Sequence, residues 1–270
     1  YKRQVYKLIA EDIGFLLEGD FGQIRARFVI WATGEFSFPD MEPFPGADLC
    51  RVASQVRSWK GVNGSEFVVI GGYESGIDAA YHLANRGSMV KILSRGEPWN
   101  IDDPEPSVAL SPYTKERLSR IVRALPGSIE LYGDKEVIEV IRDGNDYRVL
   151  TLDGGAFSSP QPPILATGFE TGIKRQIASF FDWEGRTPLF SEVDSSTLYP
   201  NLFYSGPSLV HRKSKFCFIY KFRARFGVVA REIGKRLDLD TSGLSDWEKH
   251  GFLIELSLIH ISEPTRQAEI

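Results

Sequence analysis

The stretch Phe67 to Ala84 reads FVVIGGYESGIDAAYHLA, and its glycines have the spacing needed to receive a phosphate. An apolar run leads into Gly71, Gly72, Tyr73, Glu74, Ser75 and Gly76, and an amphipathic stretch follows. A glycine turn that opens a helix lets an anion approach the backbone, where unpaired N–H groups and the positive end of the helix dipole meet it. The order strand, turn, helix satisfies most of the dinucleotide fingerprint G-x-G-x-x-G/A, with Gly71 and Gly76 in place. Tyr73 stands where the fingerprint has its middle glycine, so Gly72 and a shifted loop path must supply the room. The next apolar run, Met89 to Leu93, is followed by Ser94 and Arg95. An acidic group at that place accepts from a ribose 2′-OH, whereas a basic one suits a 2′-phosphate. Ser94 and Arg95 therefore point to NADP(H), and Glu97 nearby keeps NAD open.

A repeat supplies the second sign. FVIWATG, ending at Gly34, returns as PPILATG, ending at Gly168. The first copy runs through Phe15 to Leu17, a turn at Asp20 to Gly22, the run Phe28 to Ile30, and Ala32, Thr33, Gly34. The second runs through Tyr147 to Leu150, a turn at Asp153 to Gly155, Ile164 and Leu165, and Ala166, Thr167, Gly168. Alternating apolar residues around an Asp/Gly turn predict a hairpin, and the short apolar run before each ATG predicts a buried strand. Two unrelated strands ending in small residues share some of this. The matched turn spacing, with the glycine motif between the copies, argues for two related nucleotide-binding units.

These residues need a frame. The pattern predicts a strand over 65–70, a helix from Ile77 to Asn85 with positions 77, 80, 81 and 84 on one face, and a strand over 89–93. A helix follows over 111–124, capped by Ser111 with Pro112 just inside, then strands near 129–132 and 136–141. This β-α-β order predicts a parallel sheet covered by helices, with an antiparallel excursion before the second ATG. The three prolines of SFPDMEPFPG at 37–46 exclude helix or central strand there and predict a connection between domains. Beyond LYPNLFYSGP at 198–207, Phe222, Phe226, Val229, Ile233 and Leu237 predict one helix over about 219–237.

Composition narrows the partners. A net charge of −4 from 32 basic and 36 acidic residues is no polyanion-binding signature, which argues against nucleic acid. Cys50 and Cys217 form no CxxC pair, which argues against a dithiol centre or a zinc site and predicts reduced thiols in the cytoplasm. No apolar run approaches the roughly 18 residues of a membrane span, and FCFIY at 216–220 has the length of a core segment. Ser54, His82 and His211 have no nucleophile-base-acid spacing, so a structural role is expected for each histidine. His82 is expected on the surface of its helix. The cluster His211, Arg212, Lys213, Lys215 reads as a solvated loop, with contact to an anionic small-molecule substrate as the alternative.

With both ATG turns, GGYESGIDAA and the Ser94-Arg95 pair, the chain resembles flavin-containing monooxygenases and the wider pyridine-nucleotide, FAD-dependent oxidoreductases over most of residues 5–245. The resemblance implies an α/β fold in which a Rossmann-like, three-layer NAD(P)-binding domain (61–168) is inserted in a partial FAD-binding domain (5–46 and 169–245). It implies FAD beside NADP(H), with Ala32, Thr33, Gly34 and Gly206 near the flavin; Trp31, Phe36 and Phe38 around the first ATG read as core aromatics, with packing on a flavin as the alternative. In disulfide reductases an Asp follows the counterpart of Gly206; here Pro207 does, which with the lack of CxxC points away from that branch. The monooxygenase stretch that carries a His-Ser pair reads Val52, Ala53, Ser54 here. The parent enzyme would take hydride from NADPH and use reduced flavin to activate oxygen or reduce a small substrate. An NADP-binding regulatory or structural protein without flavin chemistry is the alternative.

The ends have a different origin in this reading. Tyr1 to Gln4 can be encoded by TAT AAG AGA CAG, whose reverse complement encodes Leu-Ser-Leu-Ile, the residues at 256–259. This looks like a transposon mosaic end from library construction, and HISEPTR looks like its adapter continuation. Residues 1–4 and 256–270 are therefore expected to be translated adapter. The rest is expected to be a fragment lacking the FAD domain's opening strand and G-x-G-x-x-G turn, inactive by itself.

Overall fold

The computed structural model describes residues 4–34, 36–103, 108–212 and 214–256. Most of the end segments read as adapter, 1–3 and 257–270, lies outside them. By its contacts the chain forms two units, one of residues up to Phe38 together with those from Glu170, the other Pro39–Phe169. Residues 39–46, grouped on sequence with the first piece, pack in the second unit. The Val140 N–H donates to the Pro45 carbonyl at 3.0 Å, and an added Cβ on Gly46 would lie 1.8 Å from the Val140 oxygen.

The first segment of the outer unit is an antiparallel meander of β1 (Val5–Ala10), β2 (Phe15–Gly19) and β3 (Gly22–Ala26), followed by β4 (Val29–Trp31). Leu8, Phe15, Val29 and Trp31 turn inward to one core, as period-two alternation requires.

The inserted unit contains β5 (Arg51–Val52), β6 (Glu66–Ile70), α1 (Glu74–Ala84), β7 (Met89–Leu93), α2 (Pro112–Ala124) and β8 (Ile129–Tyr132). An antiparallel group follows, β9 (Val137–Asp143), β10 (Asp146–Thr151) and β11 (Ala156–Ser159), and then β12 (Ile164–Leu165). The central sheet has the order β5-β12-β6-β7-β8 with every pair parallel. Its two faces explain why β6 is apolar at almost every position. Phe67 and Val69 join the core shared with Ile77, Leu83, Leu118 and Ile121 of the helices, while Val68 and Ile70 join Val140 and Val149 of the antiparallel layer. The result is three layers, helices, parallel sheet and antiparallel sheet. α1 starts at Glu74, earlier than the apolar periodicity from Ile77 suggests, because the Ile77 N–H already donates to the Tyr73 carbonyl at 3.0 Å. α2 has the expected start: the Ser111 hydroxyl accepts from the Thr114 N–H at 3.3 Å and Pro112 opens the helix.

The chain then returns to the outer unit through α3 (Gly172–Gln176), the hairpin β13 (Trp183–Glu184) and β14 (Thr187–Pro188), and β15 (Leu202–Tyr204). β15 lies parallel to β4, with Leu202 opposite Val29 and Tyr204 opposite Trp31. A short hairpin, β16 (Val210–His211) and β17 (Ser214–Lys215), precedes α4 (Ile219–Phe222) and α5 (Phe226–Arg236). The single helix expected over 219–237 is thus interrupted by a 3₁₀ turn, Arg223–Arg225. Arg225 is 1% exposed there and bonded to Asp194, a tertiary demand that periodicity does not carry. Of the FCFIY segment only Phe216 is buried; Ile219 and Tyr220 face solvent. No helix among the described residues is long and apolar enough to cross a membrane.

Candidate functional site

The carboxyl ends of β12, β6 and β7 bring the predicted dinucleotide residues together. The Gly71 N–H donates to the Leu93 carbonyl and the Ala166 N–H to the Ile70 carbonyl, each at 2.8 Å. The glycine turn therefore lies between Ser94 and Arg95 on one side and Ala166, Thr167 and Gly168 on the other. This is the edge of an open parallel sheet at which ligands bind, where the strand order reverses. Gly71 has φ +113°, and an added Cβ would lie 2.3 Å from the Ala166 oxygen. On Gly76 it would lie 1.9 Å from the Gly71 oxygen, so the start of α1 can approach the turn only without a side chain.

Gly72 faces inward, where a Cβ would come within 2.6 Å of the Trp99 ring and 2.7 Å of the Ser94 Oγ. Ser94 is 5% exposed, so it is packed under the turn. Arg95 is exposed and forms no ion pair among the described residues, and Glu97 is engaged by the Asn100 amide at 2.8 Å. The N-terminus of α1 has no side-chain acceptor, which leaves first-turn N–H groups for an anion, with Ser75 exposed beside them. The Thr167 Oγ1 is buried without a hydrogen-bond partner, and Gly168, at φ +102°, has open space where a side chain would stand. An orphaned buried hydroxyl costs about 1–3 kcal/mol, which a bound polar group would recover.

Tyr73 and Glu74 bond to the stretch that leads into α2. The Tyr73 hydroxyl donates to the Val108 carbonyl at 3.2 Å. The Glu74 carboxylate accepts from the Ser111 N–H at 2.6 Å, the Ser111 hydroxyl at 3.2 Å, and the Thr114 hydroxyl. Sequence patterning marks Ser111 as a helix cap and nothing more; its link to Glu74 joins residues far apart in the chain.

In the outer unit the first ATG follows β4. Ala32 and Thr33 are exposed, Gly34 has φ +70°, and the Thr33 hydroxyl donates to the Gln176 Oε1 at 3.0 Å. Trp31 is buried in the core with its Nε1 unpartnered, whereas Phe36 is 65% exposed and Phe38 is intermediate. Gly206 is buried, and a Cβ there would meet the Tyr204 Oη at 2.6 Å.

His211 departs from the solvated-loop expectation. It is 9% exposed, and its Nε2 lies 2.6 Å from the Asp194 Oδ1. Asp194 is fully buried and also accepts from the Arg225 Nε at 3.0 Å and Nη2 at 2.9 Å. Sequence reasoning missed this triad because its members come from three separate elements. His82 is half exposed, 3.6 Å from Asp78 and 3.5 Å from the Arg117 Nη2, and Ser54 is exposed. Among the described residues none of Ser54, His82 and His211 is bonded to another. Burial, with the Asp48 charge adding to it, pushes the Cys50 thiol up to about 12, which disfavours the reactive thiolate.

A family model described as pyridine nucleotide-disulphide oxidoreductase matches residues 1–206. The bacilliredoxin reductase Bdr of Bacillus subtilis is 26% identical over 230 residues, which cover 82% of this chain and 66% of that protein. The chain thus spans just under two thirds of that relative's length. Among solved structures, the bacillithiol disulfide reductase Bdr of Staphylococcus aureus aligns with a TM-score of 0.69 at 19% identity, covering 87% of this chain and 70% of its own. An ornithine N-hydroxylase of Kutzneria sp. 744 aligns with a TM-score of 0.65 at 13% identity, over 87% and 72%. The sequence expectation leaned away from the disulfide-reductase branch, yet two of these three proteins are named as reductases.

Proposed function

Since the chain belongs to the pyridine nucleotide-disulphide oxidoreductase family, we propose that it is part of an FAD-dependent oxidoreductase that draws its electrons from NADPH. The observation that carries this reading is the meeting of the glycine turn, Arg95 and the second ATG at the ends of three parallel strands. When bound, the nicotinamide supplies a hydride and the flavin passes the electrons to the substrate. The inserted unit's own residues do the binding. First-turn N–H groups of α1 meet the pyrophosphate, Gly71 and Gly76 keep turn and helix close, and the Arg95 guanidinium pairs with the 2′-phosphate. The Thr167 hydroxyl gains a partner in the bound group. In the outer unit, Ala32–Gly34 and Gly206 are the residues assigned to the flavin.

For the whole protein, reduction of a disulfide is the first reading, because the curated relative is a bacilliredoxin reductase. The ornithine N-hydroxylase neighbour supports oxygenation of a small substrate as the second. NADPH oxidation by the full-length protein, followed with and without oxygen and with a low-molecular-weight disulfide, separates them. Oxygen-independent turnover that needs the disulfide supports the first, and oxygen-dependent turnover the second. Nucleotide binding with neither would favour a regulatory NADP-binding protein. For the site itself, Arg95→Ala is expected to weaken NADP⁺ about tenfold to a hundredfold and leave NAD⁺ nearly unchanged. Equal weakening of both would defeat the assignment of Arg95.

A further inference from the structure

Two residues of the glycine turn have the wrong chemistry for a pyrophosphate. Tyr73 puts a ring where the fingerprint has its middle glycine, and Glu74 puts a carboxylate in the first turn of the helix that should receive the anion. Both are bound to the connection between β7 and α2. The Tyr73 ring is held at the Val108 carbonyl by its hydroxyl. The Glu74 carboxylate takes the Ser111 N–H, the Ser111 hydroxyl and the Thr114 hydroxyl, that is, the positive end of α2.

Resting on the dinucleotide reading above, we propose that Tyr73 and Glu74 are positioning residues whose bonds to Val108, Ser111 and Thr114 keep the phosphate path over α1 clear. The electrostatic logic involves two helix N-termini. That of α2 neutralises the protein's own carboxylate, which leaves the donors and partial charge of α1 to the ligand. Without its partners, the Glu74 charge would remain within the first turn of α1, beside the pyrophosphate. Without its hydroxyl, the Tyr73 ring would lose the bond that holds it aside. Ser111 and Thr114 thus act on the ligand through Glu74, without touching it.

The test is calorimetric titration of the full chain with NADP⁺, using variants whose effects have opposite signs. Ser111→Ala with Thr114→Val strips Glu74 of both hydroxyl partners and is expected to raise Kd about threefold to tenfold. Adding Glu74→Gln to that pair removes the exposed charge and should return Kd to within about twofold of the unsubstituted chain. About 1 M salt should shrink the penalty of the pair alone, because it screens the charge. If Ser111 and Thr114 serve only to hold α2, the third substitution restores nothing and salt has no such effect; that result overturns the proposal. Tyr73 gives a second test with α2 intact. Tyr73→Phe should weaken NADP⁺ while Tyr73→Gly leaves it equal or tighter, and the reverse order overturns the proposal. Failure of the unsubstituted chain to bind NADP⁺ would sink the dinucleotide reading together with this one. Binding with the Arg95→Ala selectivity loss but without the rescue would sink this one alone.

Discussion

Arg225 carries the largest stability prediction for the outer unit. Its guanidinium reaches four acceptors: both Asp194 oxygens, the Ile254 carbonyl at 2.8 Å and the Glu192 carbonyl at 2.6 Å. Arg225→Met keeps an unbranched stem as far as the Nε position and removes every one of these donors. Asp194, at 0% exposure, is then left with His211 as its side-chain partner. Breaking one member of a buried ion pair costs about 3–5 kcal/mol, because the remaining carboxylate is desolvated and has lost its permanent countercharge. The two carbonyls add about 1 kcal/mol or more each. Against a typical total of about 5–15 kcal/mol, that is a large share. Urea unfolding followed by tryptophan fluorescence and circular dichroism gives the loss as a fall in midpoint at constant slope. Asp194→Asn combined with Arg225→Met removes both charges. Asn tolerates the left-handed backbone that Asp194 adopts at φ +64°, so the double variant should recover at least ~2 kcal/mol of the single variant's loss. A loss below about 1 kcal/mol for Arg225→Met, or a double variant no more stable than the single one, would refute this reasoning.

Gly76→Ala is expected to weaken NADP⁺ binding and cost about 1–3 kcal/mol, since its Cβ would lie 1.9 Å from the Gly71 oxygen; calorimetry showing wild-type affinity would count against the geometry of the turn. The Asp153 carboxyl is held well below the usual range, first by the Lys135 ammonium and then by the Thr151 hydroxyl and the Gly155 N–H. A depressed native value means that the stabilisation is complete above the unfolded carboxylate value, near pH ~4, and is lost as pH falls below it. Asp153→Asn should therefore flatten the fall in urea midpoint below about pH 4, and an unchanged slope would show that Asp153 contributes nothing. Cys50, pushed up to about 12, should react with iodoacetamide at pH 8 at least ~100-fold more slowly than a free thiol, and mass-spectrometric mapping of the alkylated peptide checks this.

Local patterning placed several elements of the inserted unit, though not its boundary, since 39–60 belong to it as well. β6, β7 and α2 begin and end close to where apolar runs and the Ser111-Pro112 start place them, because those signals are carried by adjacent residues. The glycine turn, the Ser94-Arg95 pair and the second ATG come together because each sits at the end of an apolar run and a parallel sheet gathers such ends along one edge. Periodicity placed the start of α1 late because Glu74 and Ser75 are polar and carry no apolar signal, although the backbone already turns there.

What sequence alone determined was the order of the elements, the place of the Ser94-Arg95 pair after β7 and the family resemblance. Each depends on residues that are neighbours in the chain or recur at a fixed spacing. What only the tertiary structure decided was which polar groups meet. His211 reads as part of a basic surface loop, yet it lies against Asp194 with Arg225, and the helix expected to run through Arg225 breaks there. Ser94 reads as a donor to a phosphate, yet it is packed under Gly72. Tyr73 reads as a departure from the phosphate-loop pattern and Glu74 as one of its residues, yet their side chains bond to Val108, Ser111 and Thr114. The physical reason is common to all three. A hydrogen bond or a buried charge is satisfied by whatever the fold brings within about 3 Å, and sequence separation places no limit on that partner.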